Sequence, residues 1–379
     1  MRNVGNQPIY LDYNATTPLA PEVVEVMRPF LEREFGNPSS SHHYGEHPRQ
    51  AVTQAREQVA ALIGAKPEDI VFTSGGTESN NYAIIGTVAA LKSRGSHVIT
   101  TNIEHPAVAN TCAALEARGF EVTRLAVDEQ GIIDPGQVEA AVRPDTILVS
   151  VMHANNEIGT IEPIGEIAEI ARRYGAVVHT DAAQSLGKIP VDLDKLGVDL
   201  LTVAGHKLYA PKGVGALYVR EGIALEPILY GGGQENGQRP GTENVLEIVG
   251  LGEACRIAAR DLSEHARVMR ETRDLLHRRL RERCNVRLNG HPEARLPNTL
   301  NVGFRGVRSG DLLSAVSDTL AASAGSACHS ETVTLSPVIE ALGVPREYAE
   351  GAVRFSTGRF TTTEDVERTA AAIAISIGK

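Results

Sequence analysis

At 379 residues the chain exceeds one ordinary domain, and about two are expected. Apolar residues make up 42% and charged residues 22%, as in a soluble globular protein. With 37 basic against 47 acidic residues the net charge is −10, which argues against a general nucleic-acid or anionic-membrane surface. Nothing approaches the roughly 18 consecutive apolar residues of a membrane helix, and the opening "MRNVGNQPIYLDYNATTP" lacks the apolar core of a signal peptide. Four cysteines without a CxxC pair suggest neither a disulfide framework nor a zinc site. The expectation is a cytoplasmic chain without metal, in which a free thiol persists.

From about residue 69 to 220, β-rich runs alternate with helical stretches. The runs are "DIVFTS", "HVITTNI", "FEVTRLAV", "TILVSVM", "AVVHTDAA", "DLLTVAG" and "GALYVR". The helical segments include "TESNNYAIIGTVAALKSRG", "PAVANTCAALEARG" and "IGEIAEIARRYG", several ending in the glycine that stops a helix. This alternation predicts an α/β fold with a mostly parallel, seven-stranded sheet covered on both faces. The last two runs are too close for a helical crossover and predict a hairpin. After "GGGQENGQRPGTENV", residues 243 to about 284 form a proline-free stretch with Leu262, Ala266, Met269, Leu276 and Leu280 at helical spacing. Short strands ("NTLNVGF", "DTLAAS", "AVRFS") then mix with helices ("SPVIEALG", "TEDVERTAAAIAISI"), predicting a smaller α+β domain. The large domain is set at 16–258, and the small one at 1–15 plus 259–379.

Three polar groups follow apolar runs, where open α/β sheets bind their ligands. In "TSGGTESNN", Gly75 and Gly76 let backbone approach a ligand at a helix start that suits a phosphate, with the Thr77 hydroxyl beside it. In "VVHTDAAQS", Asp181 ends an apolar run where an unpaired carboxylate is costly, so it wants a cationic partner such as a protonated ring nitrogen. In "TVAGHKLYAPKGVG", Lys207 ends another such run, and a lysine in a dry site has a lowered pKa and forms Schiff bases. Singly, these read as a glycine turn with an N-cap, a turn-capping aspartate and a snorkelling lysine. Together they meet the needs of pyridoxal 5'-phosphate: an anchor for its phosphate, a carboxylate for its pyridine nitrogen and an amine for its aldehyde. His105 in "NIEHPAV" follows a strand too; it can stack on the ring and move protons, or simply cap the next helix. Near the C-terminus, "SAGSACHSETV" sets Cys328 among small polar neighbours rather than core packing.

Beyond these groups, "YLDYNATTP", "GNPSS", "GGTESNN", "EHPAV", "NNEIGT", "HTDAAQS", "GHKLYAPKG", "GGGQENGQRPGTEN", "GSAC" and "RFSTGRFTT" run almost end to end. With them the chain resembles the class V aminotransferases and, within them, the cysteine desulfurases. "GSAC" in place of "RxGHHC" is similar to their NifS/IscS-like group. The resemblance implies the fold type I architecture of pyridoxal phosphate enzymes and a homodimer. It implies Lys207 as the lysine that binds the cofactor and moves the substrate Cα proton, His105 stacked on the ring and Asp181 on the pyridine nitrogen. Gln184 would bond the phenolic oxygen, Gly76, Thr77 and His206 the phosphate, and Thr242 would reach in from the second subunit. Asn156 and Arg354 would hold the carboxylate of L-cysteine. Cys328 would take the sulfur as a persulfide, leaving L-alanine, and carry it on a mobile loop to an acceptor protein. Its deprotonation would be assisted by His329 or His105, while Cys112, Cys255 and Cys284 are read as packing residues.

Two features depart from the family pattern. Ala204 stands where a phosphate-contacting serine is usual, which predicts weaker cofactor retention. "CHSETVTLS" differs from the common Cys-Thr-Ser run, which leaves the acceptor open among iron–sulfur assembly, tRNA thiolation and DNA sulfur modification. The alternative chemistry is a selenocysteine lyase or another class V β-lyase. An idle sulfur-assembly scaffold is opposed by Lys207, Asp181, Cys328 and Arg354 occurring together. A cysteine hydrolase using Cys328 and His329 is opposed by their adjacency and the lack of an orienting third group.

Overall fold

The computed structural model describes residues 7–329 and 332–378, those from 326 to 334 by backbone alone. A short strand, β1 (Ile9–Tyr10), precedes helices Pro21–Glu32 and His43–Ile63. The seven apolar runs become β2 (Ile70–Thr73), β3 (His97–Thr101), β4 (Glu121–Leu125), β5 (Thr146–Ser150), β6 (Val177–Asp181), β7 (Leu200–Ala204) and β8 (Gly215–Val219). They form one sheet in the order β2-β8-β7-β6-β5-β3-β4. β8 is antiparallel to both neighbours, and its pairing with β7 from Leu200↔Val219 to Ala204↔Gly215 is the expected hairpin. The remaining neighbours are parallel. Every residue of β2, β3 and β5 to β8 is buried, which is why these runs are apolar without alternation. Edge strand β4 exposes Glu121 and Arg124, charges that discourage pairing with another chain.

The helix after β2 begins at Gly76 and runs to Leu91, with a π-helical turn at Tyr82–Gly86. The proline-free stretch is one 39-residue helix, Val245–Arg283, about 58 Å long at 1.5 Å per residue. Its first part packs Ile248, Leu251 and Ile257 into the core under the large sheet. Its last part packs Leu276 and Leu280 into a second core with Ile9, Leu11, Phe304, Phe355 and Ile373. Of the five residues read at helical spacing, Met269, Leu276 and Leu280 are buried, while Leu262 and Ala266 are half-buried.

The second core underlies β9 (Val286–Asn289), β10 (Thr299–Phe304), β12 (Ser323–Ala324) and β15 (Ala352–Ser356), in the antiparallel order β12-β15-β10-β9. β11 (Leu320–Ala321) pairs in parallel with β1, tying the N-terminus to this unit. β13 (Ser326–His329) and β14 (Thr332–Leu335) form a hairpin with Cys328 opposite Val333. The cysteine segment read as a loop is therefore strand-paired over its described residues. The side chains of Cys328 and His329, and the roles expected of them, lie outside the described residues. Cys112 and Cys255 are core residues, and burial pushes the Cys112 thiol up to about 12. Among the described residues no helix is long and apolar enough to cross a membrane.

Candidate active site

The carboxyl ends of five parallel strands open onto one cavity of about 690 Å³. β2 delivers Gly76 and Thr77, β3 His105, β5 Asn156, β6 Asp181 and Gln184, and β7 His206 and Lys207. Arg354 enters from β15 of the second unit. Of the residues expected at the cofactor and substrate, Thr242 alone stands apart among those described: it is exposed and does not line this cavity.

Lys207 sits in a 3-10 turn straight after β7. Its Nζ donates to the carbonyls of Asn14 and, at 2.8 Å, Ala15. Burial and then the nearby Arg354 guanidinium pull its pKa down to about 8. Asp181 ends β6 with one oxygen accepting from Asn80 Nδ2 at 2.7 Å and the other from the Ala183 amide at 2.9 Å. Both partners are neutral, so a buried carboxylate meets the cavity with room for a cationic ligand group.

The phosphate-binding candidates follow β2. Gly75 adopts φ +146°, a conformation open to glycine and strained for other residues. Gly76 lies so close to β7 that a Cβ on it would come within 3.1 Å of the Ala204 Cβ. The first amides of the helix starting there have no partner within it. Glu78 braces the turn, accepting from the Ser74 amide at 2.8 Å and pairing with Arg239 at 2.9 Å. His206, within 3.3 Å of the Thr16 hydroxyl, is held down to about 4 by burial and then by the Lys207 charge, and is neutral.

His105 caps the helix Pro106–Glu116, accepting the Ala107 amide on Nδ1 at 3.1 Å. The capping role and the cavity position coexist: burial keeps the ring neutral, so the proton sits on Nε2. Arg354 Nη2 donates to Asp12 Oδ1 at 2.8 Å and Ser323 Oγ at 2.9 Å, while Nη1 donates to the Asn156 carbonyl at 3.1 Å. Nε is buried without a partner among the described residues. A carboxylate ligand would therefore share this guanidinium with Asp12.

The sequence reading assigned no role to Asp12, Asn14, Asn80, Glu104 or Lys188. Asn14, 1% exposed, accepts on its carbonyl from Lys207 and Gln184 and donates from Nδ2 to the Asn156 carbonyl at 3.1 Å. Glu104, beside His105, is pushed up to about 8 by burial and accepts from the Thr101 hydroxyl and the Met152 amide. The signals were there: Asp12 and Asn14 follow a strand in a quoted motif, and Asn80 lies one helical turn after Gly76.

Pyridoxal phosphate suits this donor set. An amine with a lowered pKa, a buried carboxylate hydrogen-bonded by neutral groups, a glycine-lined helix start and a guanidinium border one space.

The family model for Aminotransferase class-V matches residues 9–369. The chain is 50% identical to the cysteine desulfurase IscS of Dictyoglomus turgidum, over 95% of this chain and 92% of that one. Among solved structures, a NifS-like protein superposes with a TM-score of 0.93 at 38% identity, covering 98% of this chain and 100% of the other. SspA in complex with cysteine gives 0.81 at 38% identity, over 93% and 100%. With the family model matching residues 9–369 and such relatives similar over nearly the whole chain, the chain belongs to the class-V aminotransferase family, among its cysteine desulfurases.

Proposed function

We propose that the chain converts L-cysteine and the Cys328 thiol into L-alanine and a Cys328 persulfide, with pyridoxal phosphate as cofactor. The observation that carries this is the meeting of Lys207, Asp181, Gly76–Thr77 and Arg354 around one cavity. When bound, the cofactor supplies an electron sink that acidifies the substrate Cα and loosens its Cβ–S bond.

The residues divide the remaining work. Gly76, Thr77 and His206 hold the phosphate, Asp181 keeps the ring nitrogen protonated, and Gln184 donates to the phenolic oxygen. Arg354 and Asn156 hold the substrate carboxylate. Lys207, with a pKa near 8, is uncharged often enough at neutral pH to accept the Cα proton on Nζ. His105 carries a proton on Nε2 that it can hand to or take from the reacting groups. The Cys328 sulfur attacks the substrate sulfur; the S–S bond forms as the Cβ–S bond breaks, and the sulfur then passes to an acceptor protein. The chain acts as a cytoplasmic homodimer, with exposed Thr242 completing the partner's phosphate site. Its units are 16–258 and 1–15 with 259–379, a division supported by the core under the smaller sheet, whose buried residues all fall within 9–11 and 276–373.

The test is alanine and sulfide release from L-cysteine with reductant, bound cofactor being quantified. Wild type should make alanine, and Cys328→Ala should bind cofactor and lose alanine production. Equal alanine from both would transfer the chain to the β-lyases, selenocysteine lyase included.

A further inference from the structure

Behind Gln184 lies a second lysine that the reaction does not use. Lys188 is 5% exposed, four residues beyond Gln184 in a run of turns, and among the described residues no carboxylate bonds it. Its Nζ donates to Gln184 Oε1 at 2.7 Å and reaches Asn14 Oδ1 at 3.4 Å. Gln184 Nε2 in turn donates to the Asn14 carbonyl at 3.1 Å. The Asn14 carbonyl settles which end of the carboxamide is which: it can only accept, so Nε2 faces it and Oε1 is left to take the N–H of Lys188. One Nε2 hydrogen remains for a ligand.

We propose that Lys188 is a positioning residue for Gln184, fixing its carboxamide so that an N–H, rather than a carbonyl, faces the phenolic oxygen of the bound cofactor. The inference rests on the cofactor reading above. The hydrogen count fits an uncharged amine: two N–H bonds meet two acceptors. Burial, reinforced by Lys207 and Arg354, holds the Lys188 pKa well below its usual value. The other titratable groups near it, Tyr13, Tyr209, His265 and Arg359, border the same small cavity of about 20 Å³ and include no carboxylate. The lowered pKa of Lys188 lets it orient Gln184 with less positive charge added beside Lys207 and Arg354.

The test is a pH titration of the visible absorption of bound pyridoxal phosphate in wild type, Lys188→Met, Lys188→Gln and Gln184→Ala, and in Gln184→Ala combined with Lys188→Met. Cofactor-free melting is measured alongside. A donor to the phenolic oxygen favours its ionised form, so losing the donor should raise the absorption midpoint by about one pH unit in Lys188→Met. Lys188→Gln retains an N–H and should shift it less; it is also read should the Met variant not fold. In the Gln184→Ala background the Met substitution should add nothing. A wild-type midpoint in folded Lys188→Met, or a shift that persists without Gln184, would overturn the proposal. A wild type that shows no cofactor band would instead overturn the cofactor reading on which it stands.

Discussion

The clearest lever on cofactor retention is Ala204→Ser. Ala204 is 5% exposed, ends β7 and borders the cavity between Gly76 and His206. Since a Cβ on Gly76 would lie 3.1 Å from the Ala204 Cβ, a hydroxyl at 204 starts beside the backbone proposed to hold the phosphate. A hydrogen bond to a charged group is worth about 1.5–3 kcal/mol. The low end of that net range, about 1.4 kcal/mol, corresponds to tenfold in Kd. The assay is equilibrium titration of cofactor-free protein with pyridoxal phosphate, with melting followed at fixed cofactor. The variant should bind about tenfold tighter and gain about 1.4 kcal/mol of cofactor-dependent stability. Unchanged or weaker binding in a variant that melts normally without cofactor would refute the idea that Ala204 removes a phosphate contact.

Two further outcomes are expected. Lys207 is lowered from 10.5 to about 8 in the folded protein, so between those values the unfolded chain holds a proton that the folded one has shed. Stability of the cofactor-free protein should therefore rise with pH across that window, by at most about 3 kcal/mol from this residue. Denaturant titrations of wild type and Lys207→Met should differ by that slope, and parallel curves would show that Lys207 is not desolvated. Gly215→Ala would drive a Cβ to 2.5 Å from the Val203 carbonyl and 2.7 Å from Gly75 Cα. Backbone must give way there, so a loss of about 2–4 kcal/mol is expected, with weaker cofactor binding because Gly75 is displaced; normal melting and binding would contradict that close approach.

Most of the large sheet was legible because burial on both faces leaves an unbroken apolar signature between glycine-terminated helices. The β7–β8 hairpin was legible from spacing alone. The smaller unit was harder. β9 carries Arg287 and Asn289 among its four residues and looks like surface chain. β1, β11 and β12 have two residues each, too few to show a period. The β13–β14 hairpin runs through small and polar residues, whose composition spells a loop. At the site, residues expected to touch cofactor or substrate could be named from motif and strand end. Their supports were signalled only by position, because Asn14 and Asn80 act by hydrogen bonds across 142 and 101 positions, and Lys188 reaches Gln184 within a run of turns that has no regular period.

The bonds of the N-terminal segment also bear on the order of assembly. Asp12 meets Arg354, and the Asn14 amide meets Ser356, in each case across 342 positions of a 379-residue chain. Contacts so distant in sequence close late, after shorter loops have formed. On the ribosome, the segment whose carbonyls receive the Lys207 amine emerges 342 residues before its own final partners. The large sheet can collapse around Lys207 while Asp12 and Asn14 still wait for residues 354–356. The nascent chain thus gains a folded sheet before it gains a finished catalytic pocket.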